Sequence, residues 1–155
     1  YIGQHSLKNS ALTIQVINNL ASCGHKIILI GQKTSGAQIH ENVEHHKFLD
    51  HDTLLSHMRS SISFISLSIE QGGFFSFEAA ASGCLVLCFP DSGAARLPRA
   101  ILLASENEYA SVDLVAKRCK AAIKIARATP TMRREIIFET WKMQKDATDF
   151  FYKNF

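Results

Sequence analysis

The sequence predicts an α/β domain in which a parallel sheet of about six strands lies between two layers of helices. Short apolar runs alternate with amphipathic stretches along all 155 residues, which is typical of a parallel sheet covered on both faces. Hydrophobic residues make up 46% of the chain, enough to bury one core, so residues 1–155 are predicted to form a single domain. The longest apolar runs are far shorter than a membrane span.

The first helix is predicted over Ser10–Cys23, because apolar residues recur on one of its faces and Gly24 can end it. Tyr1–Gly3 is predicted to be the end of a first strand, and Lys26–Gly31 a buried second strand. The residues on the apolar face of the helix are Leu12, Val16, Ile17 and Leu20.

The middle of the chain continues the alternation. Val43–Leu49 is predicted to be a weaker strand, followed by a short helix from Thr53 to about Arg59 that Asp52 can cap. Ser61–Ile69 is predicted to be the fourth strand. Gly72 and Gly73 break the chain, and the following segments are predicted as a helix over Phe74–Ser82 closed by Gly83, a strand over Leu85–Phe89, and a loop over Pro90–Pro98.

The last third is predicted to be mainly helical. Ala100–Leu103 is the predicted last strand, and Val112–Arg127 a long basic helix. Two further helices are expected to begin near Met132 and Trp141, with Thr131 and Thr140 as caps. Together these elements predict a Rossmann-like fold.

The basic residues late in the chain are interpreted as a solvated helix face, with attraction to an acidic substrate or to anionic lipid, and hence peripheral membrane contact, as the alternative. No aromatic residues interleave these charges, so nucleic acid is not predicted as a partner. Four cysteines without a paired spacing favour reduced thiols, buried at Cys84 and Cys88, in a cytoplasmic protein. The basic residues are Lys117, Arg118, Lys120, Lys124, Arg127, Arg133 and Arg134.

The most specific segment runs from Glu70 to Glu78 across a predicted strand–turn–helix junction. Ligands bind at such junctions in open parallel sheets. Gly72 and Gly73 allow the backbone to approach a ligand closely, and the amides that start the next helix can hold a phosphate. Ionised carboxylates accept hydrogen bonds from hydroxyl groups, so this pattern predicts a ligand with both a phosphate and sugar hydroxyls.

The segment from Glu70 through Glu78, followed by Ala-Ala-Ala-Ser-Gly-Cys-Leu-Val-Leu, resembles the donor-site motif of the large retaining GT-B glycosyltransferase family. The segments Gly3–Lys8, Asn42–Phe48 and Phe138–Tyr152 also resemble family segments, in the same order. The resemblance implies the C-terminal, donor-binding half of a GT-B hexosyltransferase of polysaccharide, glycolipid or glycoprotein synthesis. Because the chain starts within a predicted strand, we expect an acceptor-binding N-terminal domain outside it, and no transfer by this chain alone.

The resemblance also implies residue roles. Glu70 would hold the transferred sugar and Glu78 the ribose of the nucleotide, with the backbone at Gly73 and Phe74 facing the sugar or its phosphate. Lys8 and Glu70 are the predicted catalytic residues, and Lys8 would neutralise the leaving pyrophosphate. The remaining predicted donor-binding residues are Gln4, at the position of the family's pyrophosphate arginine, Gly72 in the glycine turn, and Lys47, Phe48 and Leu49 beside the base. The predicted ligand is a nucleoside-diphosphate sugar, with no cofactor and no metal required.

Two departures from the family pattern favour an alternative, a catalytically inactive binding or assembly module. The family's pyrophosphate arginine is replaced by Gln4, and the usual Gly-Gly-x-x-Glu is altered around Gly93–Arg96. For Glu70 and Glu78 the plainer interpretation is a strand-end and a helix-surface acid. The histidines lack the spacing of zinc ligands, so no metal site is predicted. Asp50-His51-Asp52 is interpreted as a turn and helix cap.

Overall fold

The computed structural model describes residues 10–31, 36–68, 74–103 and 111–154, and it is an α/β protein built from parallel strands and helices. In chain order the elements are α1 (Ser10–Ser22), β1 (Ile27–Ile30), β2 (Val43–His46), α2 (His51–Ser60), β3 (Ser63–Ser66), α3 (Phe74–Ala81), β4 (Leu85–Cys88), a 3-10 turn (Gly93–Arg96), β5 (Ile101–Leu102), α4 (Val112–Ala128) and α5 (Met132–Asn154). The predicted α/β class is therefore confirmed.

The strands form two parallel sheets, which makes the prediction of one sheet of about six strands wrong for the described residues. β1 pairs with β2, and β3 pairs with β4, which also pairs with β5. A cavity of about 830 Å³ is lined by residues of both β1 and β3. The predicted first strand, Tyr1–Gly3, lies outside the described residues.

The first helix follows the sequence prediction closely. Val16, Ile17 and Leu20 are all less than 5% exposed, which confirms the predicted apolar face of α1. Gly24 follows the helix with a φ of +83°, a left-handed conformation that glycine adopts without strain. Local sequence is therefore sufficient to place this helix and its end.

Two helix predictions are wrong in detail. The N-cap of α2 is Asp50, whose carboxylate accepts a hydrogen bond from the Thr53 amide at 2.9 Å, whereas Asp52 lies in the first turn. The last two predicted helices are one continuous helix, α5. Thr140 does not cap a new helix, because no glycine or proline interrupts α5. The Thr140 side chain is instead fully buried, one turn after the buried Ile136.

The main core lies around β4, all four residues of which are buried. Leu87 is completely buried there, together with Phe89 and with Val115 and Cys119 of α4. Cys84 and Cys88 are buried as predicted, and burial raises the pKa of each thiol to about 11. No helix in the described part of the chain is both long and apolar enough to cross a membrane.

Three of the basic residues belong to the packing rather than to a solvated face. Arg118 donates a hydrogen bond to the carbonyl of Leu103, and Lys120 donates one to the side-chain oxygen of Asn19. Arg133 is half-buried and donates to backbone carbonyls. By contrast, the other four, Lys117, Lys124, Arg127 and Arg134, are exposed, so the predicted solvated face holds for these residues.

Candidate functional site

The candidate site lies where α2 and α3 begin, after the ends of β2 and β3. α2 follows the loop 47–50, and α3 begins at Phe74. Glu78, on the second turn of α3, points across to α2, where its Oε1 lies 2.9 Å from Nε2 of His51. The fold thus joins two segments that are 27 residues apart in the sequence.

The carboxylate of Glu78 is partly covered but reachable. Its side chain is 31% exposed, and the His51 side chain is 63% exposed. A carboxylate in this setting keeps lone pairs for hydroxyl donors from a ligand, beyond the one shared with the imidazole. The arrangement can therefore hold a sugar hydroxyl at the junction of the two helices.

The first two side chains of α3 are exposed. The side chain of Phe74, its first residue, is 85% exposed, and Phe75 is 41% exposed. The first amides of a helix have no partner within the helix, and the helix dipole makes this end attractive to anions. Deeper in the helix Ser76, Ala79 and Ala80 are buried, so α3 is fixed on the core through its other face.

Residues 47–49 extend from the end of β2 toward the same junction. β2 ends at His46, because its pairing with β1 ends where Ile30 faces His46, so the predicted strand Val43–Leu49 is shorter than expected. Lys47 is exposed and the Phe48 side chain is 82% exposed, whereas Leu49 packs against the buried cluster of Leu54 and Ala79. An exposed aromatic ring here can lie against a flat base.

Arg133 of α5 sets the relative position of α2 and α3. Its guanidinium donates to the carbonyl of Ser61 at 3.1 Å and to that of Ser82 at 2.6 Å, and also to the carbonyl of Arg59. These carbonyls lie at the C-terminal ends of α2 and α3, where helices leave acceptors without partners and favour positive charge. One half-buried cation therefore ties the C-terminal ends of both helices together.

A contact between α3 and α5 adds a second restraint. The ring of Phe77 meets the indole of Trp141 edge to face, with ring centroids 6.3 Å apart. Such edge-to-face pairs are favourable beyond the area that they bury. Because Phe77 and Glu78 belong to the same helix, this contact helps to fix the rotation of α3 and the face on which Glu78 lies.

The structure describes five of the predicted site residues: Phe74 and Glu78 on α3, and Lys47–Leu49 in the loop before α2, of which Leu49 packs beside α3. Gln4, Lys8, Glu70, Gly72 and Gly73 lie outside the described residues. Sequence reasoning missed His51, because it interpreted Asp50-His51-Asp52 only as a turn and cap. Asp50 does cap α2, and its pKa is lowered mainly by the hydrogen bond from the Thr53 hydroxyl.

No family model and no curated protein sequence matches this chain.

Proposed function

We propose that this chain is a nucleotide-sugar-binding domain with a Rossmann-like fold, the donor-binding half of a retaining GT-B glycosyltransferase. The observation that carries the proposal is the position of Glu78, on the helix after β3, reaching the segment that follows β2 through His51. Supporting it is the resemblance of the Glu70–Glu78 segment to the family's donor motif. The transferred sugar and the nucleotide base are left open by this proposal.

In this proposal each part of the ligand has its own partner. Glu78 accepts hydrogen bonds from the ribose hydroxyls, and His51 holds the carboxylate in place from the other side. The first amides of α3, beginning at Phe74, receive phosphate oxygens. The base lies along the exposed residues Lys47 and Phe48.

The test is calorimetric titration of the whole chain with UDP, GDP and ADP. We expect at least one of them to bind, and Glu78→Gln to weaken it roughly tenfold, since the neutral amide accepts hydroxyl hydrogen bonds less strongly than a carboxylate. Glu41→Gln is the matched control, because Glu41 is exposed and precedes β2, at the opposite end of that strand from the junction. It should bind like the unaltered chain.

Two outcomes count against the proposal. One is a folded chain that binds none of the three nucleotides at about millimolar concentration, the weak limit of specific affinity. The other is an equal loss of affinity in Glu78→Gln and Glu41→Gln. Circular dichroism of both variants separates loss of a contact from loss of the fold.

A longer protein that also contains an acceptor-binding domain would decide between an enzyme and an inactive binding module. On the enzyme proposal it transfers sugar to an acceptor or hydrolyses the donor, and Glu78→Gln slows either reaction. Binding of the donor with neither reaction favours the inactive module, which the replacement of the family's arginine by Gln4 would explain.

A further inference from the structure

A second cluster of polar side chains lies between β2 and α2. Glu44 and His46 are two residues apart on β2, so their side chains leave the same face of the strand. His57, in the last turns of α2, faces them, and its ring centroid lies 5.7 Å from that of His46. One potential ligand atom from each of the three residues lies within 4.8 Å of the other two.

We propose that Glu44, His46 and His57 form a binding site for a divalent transition metal ion of the zinc class. Two imidazoles and one carboxylate are a ligand set that such ions prefer, whereas Mg²⁺ and Ca²⁺ prefer oxygen ligands alone. Three protein ligands leave the fourth tetrahedral position to water. The site is separate from Glu78 and His51, and it does not depend on the nucleotide proposal.

The present distances are close to those that a metal needs. Ligands at 2.0–2.1 Å from a tetrahedral ion lie roughly 3.3 Å from one another. His46 Nε2 and Glu44 Oε1 are 2.6 Å apart, a hydrogen bond that must open by about 0.7 Å to meet that geometry. The other separations between ligand atoms are at most 4.8 Å and must close by no more than about 1.5 Å.

Side-chain rotation alone can make these adjustments. Glu44 is 59% exposed and His46 is 29% exposed, so neither is held in a packed core. The backbone around them is already fixed. Glu44 and His46 are paired in register with Ile28 and Ile30 of β1, and α2 is anchored by the buried Leu54 and Met58.

The spacing of these residues could not reveal the site from the sequence. Glu44 and His46 come from a strand, and His57 comes from the following helix, 11 residues after His46. The packing of α2 against the strands brings them together. A metal here would bridge β2 and α2, and binding to the folded state alone would stabilise that state in proportion to metal concentration.

The test uses the whole chain carrying Cys23→Ser, which removes the one exposed thiol. After removal of metal with a chelator, calorimetric titration with Zn²⁺ should show one ion bound per chain, and the melting temperature should rise with added Zn²⁺. Co²⁺ should give the visible spectrum of a four- or five-coordinate site without the charge-transfer band of a thiolate ligand.

His57→Gln is the informative variant, and His51→Gln is its matched control on the same helix. We expect His57→Gln to weaken Zn²⁺ binding at least about tenfold and to leave nucleotide affinity unchanged, whereas His51→Gln keeps full Zn²⁺ binding. Glu44→Gln repeats the test from β2. The proposal is overturned if folded Cys23→Ser binds no Zn²⁺ at about micromolar concentration, or if His57→Gln and His51→Gln lower Zn²⁺ affinity equally.

Discussion

Two strands of equal length, β4 and β2, have opposite surroundings. All four residues of β4 are buried, whereas Val43 is the only buried residue of β2. β4 lies between β3 and β5, while β2 has one described neighbour, β1. Both proposed sites use residues in or just after β2, and none uses β4. We infer that β4 and the core around it supply stability, whereas the end of β2 and the helices that follow β2 and β3 present chemistry.

The same substitution in each sheet tests this division of roles most directly. Leu87→Ala, at the fully buried centre of β4, should lower the free energy of unfolding by the upper part of the usual range of about 2 to 5 kcal/mol. Leu29→Ala, in β1, should cost the lower part of that range, because Leu29 borders the 830 Å³ cavity and its neighbours have room to adjust.

Urea unfolding followed by circular dichroism measures both values. A larger loss for Leu29→Ala than for Leu87→Ala would show that the two-stranded sheet carries the greater share of stability. The comparison between the sheets would then be reversed.

Two glycines provide a second matched pair with a smaller expected effect. Gly24 ends α1 and Gly83 follows α3, with φ angles of +83° and +90°. Alanine at Gly24 would meet no atom within 4 Å, so it should cost only the strain of a left-handed residue, about 1 to 2 kcal/mol. At Gly83 the added carbon would lie 2.6 Å from Cγ of Arg133.

Gly83→Ala should therefore cost about 2 to 4 kcal/mol, because the strain adds to a clash with the residue that holds α2 and α3 together. The same urea experiment measures it. If Gly24→Ala and Gly83→Ala lower the free energy of unfolding equally, then Arg133 moves aside freely and does not fix the helix ends.

Local signals explain which parts of the fold could be predicted. Glycine ends α1 and α3 at the expected residues, because a left-handed turn is a property of a single position. The length of β2 was overestimated, since Lys47 and Phe48 fit a strand by residue type but lie beyond the pairing with β1. The division into two sheets depends on contacts between distant segments, which periodicity does not report.

The site was predictable only in part for the same reason. The segment around Glu78 stands out because glycines, acids and a helix start coincide in one stretch of sequence. Its partner His51 lies 27 residues earlier and meets it because α2 packs against α3. The cluster of Glu44, His46 and His57 likewise arises from packing.

The smallest expected effect comes from chemical labelling of the cysteine thiols in the unaltered chain. Because no residue is substituted, the free energy of unfolding stays unchanged before labelling. Cys23, after α1, is exposed, whereas Cys84, Cys88 and Cys119 are buried in or against the three-stranded sheet. Burial raises the pKa of Cys84 and Cys88 to about 11 and that of Cys119 to about 12. At about pH 8 only roughly one in a thousand or fewer of these thiols is ionised, and the thiolate is the reactive form.

A disulfide reagent should therefore modify Cys23 rapidly in the native chain. The three buried thiols should react only at the rate at which the core opens, and all four should react rapidly in urea. Rapid native labelling of Cys88 would mean that β4 opens as easily as an exposed segment, and β4 could then no longer be the stable centre that supports the sites on β2, α2 and α3.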